Sequence, residues 1–504
     1  MTISLDGGSL VWIRRDLRLA DNRALEKALF FRKKIALCFV FDKAILTPLK
    51  ESNWIAQDKK NLILDRRVSF IYHSLKEISL ELEKWQSKLF IFYDLSTNLI
   101  PNFSKRINAS RVIIGEDYEP EAIRRDSLIA EKLKSLNIDL IAVKDHCIFH
   151  KLEVTTNADC PYTVFTPYKK RWLQRFSETP CSLSNYSTED LRSSLIKIDC
   201  HENFSEAPSL NSMGFSEEGL DNSVLNPGSV AGIKQLEQFK PDMQSYKLKR
   251  DYPSLNGVSF LSTHLRFGTI SIRQAVLSAF NQMKDIQLDN IMLENINCWL
   301  AELIWREFYI QILYNFPHVV SGNFRKEYDN LKWAWSEEHF VKWCDGKTGY
   351  PIVDAGMRQL NKTGYMHNRL RMITASFLTK DLGINWRKGE QYFAFKLNDF
   401  ELASNNGGWQ WAASTGCDSQ PYFRIFNPTT QSKKFDLNGN FIKKYVPELR
   451  DLDKQFIHEP FGTKGKNDFF TNSDTLKFYP CPIVDHSEAR IKTLYRFKES
   501  REKT

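Results

Sequence analysis

The chain has 504 residues, 42% of them hydrophobic, and a formal net charge of +9 at pH 7. That length predicts two or three domains rather than one core, and the charge is a modest basic bias that fits a polyanion partner without identifying one. Residues 1–9 lack the basic start and apolar core of a signal peptide, and no apolar run is long enough to span a bilayer. A soluble, cytoplasmic protein is therefore expected. The nine cysteines form no CxxC pair and no metal-ligand cluster. Pairing among Cys160, Cys181 and Cys481 stays open, with a reduced cytosolic protein the better reading.

Residues 10–13, 35–41, 88–93, 111–115 and 138–143 read as short buried strands. Helical patterns at 22–31, 62–85 and 119–136 lie between most of them. Strand and helix in alternation predict a doubly wound, parallel, five-stranded sheet in an α/β domain over residues 1–145. No GxGxxG follows the first strand. A charged loop, Arg14-Arg15-Asp16-Leu17-Arg18-Leu19-Ala20-Asp21-Asn22, stands there instead, with Asp21 as a candidate helix N-cap. Residues 146–226 read as a long connector; it turns polar from 182 to 228, as suits a surface linker. From residue 227 to the end the periodicity is helical, with candidates at 230–239, 271–283, 293–316, 339–344, 352–361, 367–380 and 386–397. After about residue 447 an irregular tail is expected, ending in one helix at 486–498.

Several stretches carry more than core packing. A helix over 367–380 puts Asn368, Arg371, Met372 and Ala375 on one face, and Asp399 is a candidate partner for Arg371. Asn405-Asn406-Gly407-Gly408-Trp409-Gln410-Trp411 follows; its glycines allow close backbone approach or positive φ, and its two indoles must meet different neighbours. On the helix at 293–316, Glu302, Trp305, Arg306 and Tyr309 form an i, i+3, i+4, i+7 stripe. The plain reading is a solvated, salt-bridged face, but Trp and Tyr are poor choices for one. Gly257-Val258-Ser259-Phe260-Leu261-Ser262 precedes a short helix, and reads either as a Ser cap or as an anion site of free amides. Gly346-Lys347-Thr348 imitates the end of a phosphate-binding loop, but Val341 occupies the place of the required earlier glycine.

GYPIVDAGMRQL, MHNRLRM, NNGGWQWAASTG and PYFRIFNP occur in that order near the C-terminal end. They resemble the flavin domain of the photolyase/cryptochrome family, and in particular the class I cyclobutane pyrimidine dimer photolyases; the likeness extends more weakly over nearly the whole chain. The resemblance implies an all-α FAD-binding domain after the α/β domain and the connector. It implies that Tyr246, with Val258, Ser259, Phe260, Leu261 and Ser262, holds the cofactor's diphosphate, Val258 replacing a common Thr. Trp299, Glu302, Arg306, Tyr309, Asn368, Arg371, Asp399, Glu401 and Asn405 would complete the FAD site, with Asn405 facing the reactive N5 edge. Glu401 stands where a shorter acid is usual. Glu302, Trp305, Asn368, Met372 and Trp411 would form the substrate pocket, Glu302 bonding the bases and Trp305 stacking on them. Trp409, Trp386 and Trp333 match an indole chain for electron transfer, though three core tryptophans would read the same. Arg250, Arg306, Arg369 and Arg424, with Gln431, would contact DNA.

These matches imply light-driven repair of cyclobutane pyrimidine dimers in damaged DNA, with reduced FAD as the electron donor and a monomer as the working form. A second, antenna chromophore, methenyltetrahydrofolate or a deazaflavin, is common in the family; Glu121 and Ala122 replace the Asn-Glu pair of folate-binding relatives, so the folate has poor support. Two alternatives are a 6-4 photolyase and a cryptochrome-type photoreceptor. Asn368 and Met372, where 6-4 enzymes carry histidines, count against the first. The intact ELIWREFY and MHNRLRM motifs and the short C-terminus count against the second.

Overall fold

The structure is a computed structural model and describes residues 4–198, 207–219, 225–284, 289–462 and 478–502. Five strands, β1 (Ser9–Trp12), β2 (Ile35–Asp42), β3 (Leu89–Asp94), β4 (Arg111–Gly115) and β5 (Asp139–Val143), pair in parallel in the order β3-β2-β1-β4-β5. The sheet is covered on both faces, which is why β2 is buried along its whole length and reads as a continuous apolar run. Alternate residues serve opposite faces: Val11, Leu37 and Phe39 join one core cluster, and Leu10, Trp12, Ala36 and Cys38 another.

The expected helices form as Arg23–Phe30, Arg66–Lys84 and Pro120–Lys134. Two more, Lys43–Lys50 and Ser96–Arg106, each hold an internal proline, Pro48 and Pro101, which hid them from a periodicity reading. The N-cap of the first helix is Asn22, whose side chain accepts the Ala24 and Leu25 amides at 2.9 and 3.1 Å; it is not Asp21. Asp21 instead takes φ 48° and receives Arg273 at 3.0 Å. Arg18 and Arg273 both bind Asp145, at 2.6 and 2.9 Å. The charged loop after β1 is thus a seam between the two halves; its buried Arg18 and Asp21 are ion-paired, and its buried Asp16 accepts from the Arg14 amide and the Asn22 side chain.

The connector is less of a surface wrap than its composition implied. Residues Phe165–Glu178 form a helix whose Tyr168, Trp172 and Phe176 enter the same core cluster as Trp299, Ile304 and Phe308. The Trp172 indole N–H donates to Glu307 at 2.6 Å. The polar stretch is pinned further on by buried Leu210, Met213 and Phe215; its residues 199–206 and 220–224 lie outside the described residues.

At the centre of the helical half lies the 26-residue helix Asn290–Asn315. Around it stand Pro351–Thr363, Asn368–Ser376, Trp386–Lys396 and Leu402–Ala413. The helix expected over 367–380 begins one residue later, with His367 as its N-cap accepting the Arg369 amide at 3.2 Å, and changes to a π-helical turn at Phe377–Asp381. Gly407 and Gly408 lie inside a regular helix rather than at positive φ. Gly346-Lys347-Thr348 closes a helix C-terminus, the Thr348 hydroxyl donating to Asp354 at 2.6 Å. The terminal helix is His486–Glu502; of the tail before it, residues 463–477 lie outside the described residues. Cys160, Cys181 and Cys481 are free thiols. Among the described residues no helix is long and apolar enough to cross a membrane.

Candidate functional site

A cavity of about 480 Å³ opens among the helices, by far larger than the next described pockets. The helix Asn290–Asn315 supplies one wall. Trp299, Glu302, Trp305, Arg306 and Tyr309 line it, so the stripe read from the sequence faces inward. Asn368, Arg371 and Met372 line the cavity from Asn368–Ser376, and Asn405, Gly408, Trp409 and Trp411 from Leu402–Ala413. Tyr246, Arg250 and the whole turn Val258 to Ser262 close another side, with Asp399 and Glu401 opposite.

The short helix Ser262–Phe267 has Leu261 as its N-cap and no side-chain cap bond. The Ser-capped reading therefore fails, and the turn's hydroxyls stay available to the cavity. Phe260 sits at φ 53° and 39% exposed, its ring 5.1 Å from Tyr365, so the turn is strained into its course.

The cavity floor is polar and incompletely satisfied. Arg371 binds Asp399 at 2.8 Å and the Met366 carbonyl at 2.8 Å. The second carboxylate oxygen of Asp399 and the Trp409 indole N–H are buried without a protein partner. Such orphans are rare in native structures and ask for a ligand or water. The Asn405 amide donates to the Glu390 carbonyl at 3.0 Å, which leaves its oxygen for other use. Gly408 would place a Cβ in open space, whereas at Gly407 a Cβ would come 2.1 Å from the Tyr309 ring. One glycine allows two helices to touch, and the other leaves the cavity clear. Orphaned polar atoms, a bare helix face and a turn with no side-chain cap bond fit an FAD molecule, whose ring edge and diphosphate need such partners.

Toward the mouth, Glu302 forms an ion pair with Arg250. Burial pushes the Glu302 carboxyl above the ordinary value, and Arg250 opposes that rise. Deeper in, Glu401 binds Arg306 at 2.9 Å and also Arg15 of the loop after β1. Burial works against its charge, but Arg306, Arg15 and Arg266 hold it down to about 2. Arg306 also donates to the His146 carbonyl at 2.7 Å. Its guanidinium is tied inward and its side chain is 12% exposed, a geometry that suits the strand-phosphate contact implied by the resemblance poorly. Sequence reasoning did not single out Arg266, His146 or Tyr365. Burial and then Arg15 push His146 down to about 3, so it stays neutral beside these arginines.

Arg369, Arg424, Gln431, Trp386 and Trp333 stand outside the cavity lining. Arg369 binds Asp251 at 2.7 Å and lies 4.3 Å over Phe435, and Arg424 is exposed. Gln431 is half-buried with an unpartnered side-chain oxygen. Trp386 donates to Asn323 at 2.8 Å, and Trp333 packs half-buried against the same core cluster. Trp409 seats against Gly389, one turn after Trp386, where a Cβ would come within 2.0 Å of its ring. Its ring neighbours are Phe393 at 5.0 Å and Trp343 at 6.1 Å, while Trp411 meets Phe426 at 6.4 Å. His367 is capped into its helix, and burial drives it down to about 4. In the sheet half, Glu121 pairs with Arg124 on the surface and Ala122 is buried, so these two positions offer no folate-binding pair.

A family model described as DNA photolyase matches residues 9–184, and one described as the FAD binding domain of DNA photolyase matches residues 299–499. The deoxyribodipyrimidine photo-lyase of Vibrio cholerae is 38% identical over 98% of this chain and 99% of its own. Among solved structures, a bacterial class III photolyase from Agrobacterium tumefaciens superposes with a TM-score of 0.82 at 28% identity, covering 100% of this chain and 98% of that one. An archaeal photolyase from Sulfolobus tokodaii, solved with two FAD molecules, gives 0.76 at 32% identity, over 98% of this chain and 100% of that one. A Cβ-free helix face, orphaned polar atoms and full-length similarity to photo-lyases agree, and the chain belongs to the DNA photolyase family.

Proposed function

We propose that the protein binds FAD in this cavity and repairs cyclobutane pyrimidine dimers in DNA under blue or near-ultraviolet light. The observation that carries this reading is the cavity itself. Its floor holds one Asp399 carboxylate oxygen and the Trp409 indole N–H without partners, beside Asn405, and the same space also reaches Glu302, Trp305, Met372 and Trp411. When bound there, reduced FAD would supply the electron that opens the two bridging bonds of the dimer and is then recovered.

The chain's own residues do the positioning. Trp305 and Trp411 offer flat faces to the flipped bases, a contact worth roughly 1–3 kcal/mol per base in comparable sites. Met372 fills apolar space between them. Glu302, held by Arg250, and Asn368 present polar groups to the base edges, where hydrogen bonds stabilise added negative charge. Asn405 faces the cofactor's reactive edge as a neutral amide, and the Ser259 to Ser262 turn takes the diphosphate. Trp409, Trp386 and Trp333 carry electrons inward to an oxidised cofactor. Arg369, Arg424 and Gln431 place the strand through its phosphates without reading sequence. A dimer pairs and stacks badly, which lowers the cost of flipping it out. Because one chain builds the whole cavity, the working form is a monomer, and it acts in the cytoplasm with the DNA.

The test is repair by purified, reduced protein of DNA carrying cyclobutane dimers or 6-4 photoproducts, in light and in darkness. Loss of the cyclobutane dimers alone, and only in light, is expected. Light-dependent loss of the 6-4 product, or of neither lesion, refutes the reading. Glu302→Gln and Trp305→Ala should slow repair or weaken lesion binding while the protein keeps its FAD.

A further inference from the structure

The helix Phe165–Glu178 belongs to the connector, yet it reaches the cavity from behind. The Phe165 ring stacks on the Trp305 indole with centroids 3.6 Å apart and planes 9° from parallel. Phe165 does not line the cavity, whereas Trp305 does, so one face of the indole is backed and the rest looks into the site. The backbone N–H of Phe165 donates to Asp418 at 2.9 Å. Asp418 lies in the loop that follows the Trp411 helix. That loop is tied back to the helix by the Thr415 and Gly416 amides, which donate to the Gln410 carbonyl at 3.0 and 3.1 Å. A second tie, from Trp172 to Glu307, holds the far part of the connector helix to the Trp305 helix.

These contacts run in one chain from Trp305 through Phe165, Asp418 and Gln410 to Trp411, a frame around the cavity's two indoles. We propose that Phe165 and Asp418 are positioning residues that set the gap between the Trp305 and Trp411 faces, and so the preference for a fused pair of bases over undamaged DNA. This rests on the reading of Trp305 and Trp411 as the base-stacking walls. A stacked ring locks the indole against rotation, and pre-organised groups lose less freedom on binding. The carboxylate at the helix N-terminus holds the frame's second joint.

The test measures affinity in darkness for a short duplex with one thymine dimer and for the same duplex undamaged, together with FAD content. Phe165→Leu keeps apolar bulk but removes the stacked face. It should cut the lesion preference about three- to tenfold, the size of an aromatic pair contact, with FAD content unchanged. Asp418→Ala should act in the same direction, and Asp418→Asn, which keeps an acceptor, should restore most of the preference. In a Trp305→Ala background, Phe165→Leu should add nothing, because it acts only through that ring. Unchanged preference in both Phe165→Leu and Asp418→Ala overturns the proposal, as does full additivity with Trp305→Ala. If Trp305→Ala itself leaves the preference intact, the stacking role of Trp305 fails, and the proposal with it. A fall in FAD content in Phe165→Leu moves the decision to the Asp418 pair, where the same outcomes apply.

Discussion

Gly407 and Gly408 are neighbours in one helix, yet the structure predicts opposite behaviour when each becomes alanine. At Gly407 the new Cβ would lie 2.1 Å from Tyr309 Cδ1 and 2.3 Å from Cε1, far inside the roughly 3.5–4.0 Å of a normal carbon contact. Either the ring or the helix must move, at a cost of about 1–3 kcal/mol or more. At Gly408 nothing lies within 4 Å of the new Cβ. The cofactor-free protein should gain about 1 kcal/mol, because alanine restricts the unfolded chain and favours the helix. The same methyl projects into the space assigned to FAD and should weaken its binding by about 1–3 kcal/mol, roughly 5- to 160-fold. Chemical denaturation of the cofactor-free variants reads the first effect, and FAD titration followed by flavin absorbance reads the second. Destabilised cofactor-free Gly408→Ala, or Gly408→Ala with wild-type FAD affinity, would refute the placement of the cofactor over this helix face.

Gly389→Ala should cost about 1–3 kcal/mol and alter tryptophan fluorescence, since its Cβ would come 2.0 Å from Trp409 Cη2. Burial raises the Glu390 carboxyl from 4.5 to about 7, against the pull of its Asn406 hydrogen bond and of Arg387. Its folded form therefore holds the proton more tightly than the unfolded chain does. The stability this gives is complete below about pH 4.5 and is lost as pH rises through about 7. Glu390→Gln should remove that slope and gain up to about 3 kcal/mol at pH 8, read by urea denaturation across the pH range. Arg18→Ala should cost about 3 kcal/mol in the same assay, at the low end for a broken buried pair because Arg273 still faces Asp145.

The sheet was legible because its inner parallel strands, covered on both faces, leave uninterrupted apolar runs such as residues 35–41. The cavity walls were legible because polar residues recur there at helical spacing among apolar ones, as at Glu302, Arg306 and Arg371. Helices with an internal proline were not, and neither was Leu402–Ala413, where Asn-Asn-Gly-Gly looks like a loop. Only the facing Tyr309 ring and the open cavity explain those glycines. The inward turn of Arg306 depends on Glu401 and on a carbonyl at His146, partners 95 and 160 residues away. Phe165 was hidden for a similar reason: its neighbour Trp305 comes from another part of the chain, and the polar sequence after it drew attention to a linker.

The lattice of Arg18, Asp21, Asp145 and Arg273 carries a consequence for how such proteins can be recombined. Arg273 of the helical side finds its carboxylates, Asp21 and Asp145, on the sheet side, and Asp21 has its ion pair with Arg273, whereas Asp145 keeps Arg18 of its own half. A chimera that exchanged one half for a foreign partner would strand ionised groups in a dry joint. The halves must travel together, or be exchanged with their matching ends.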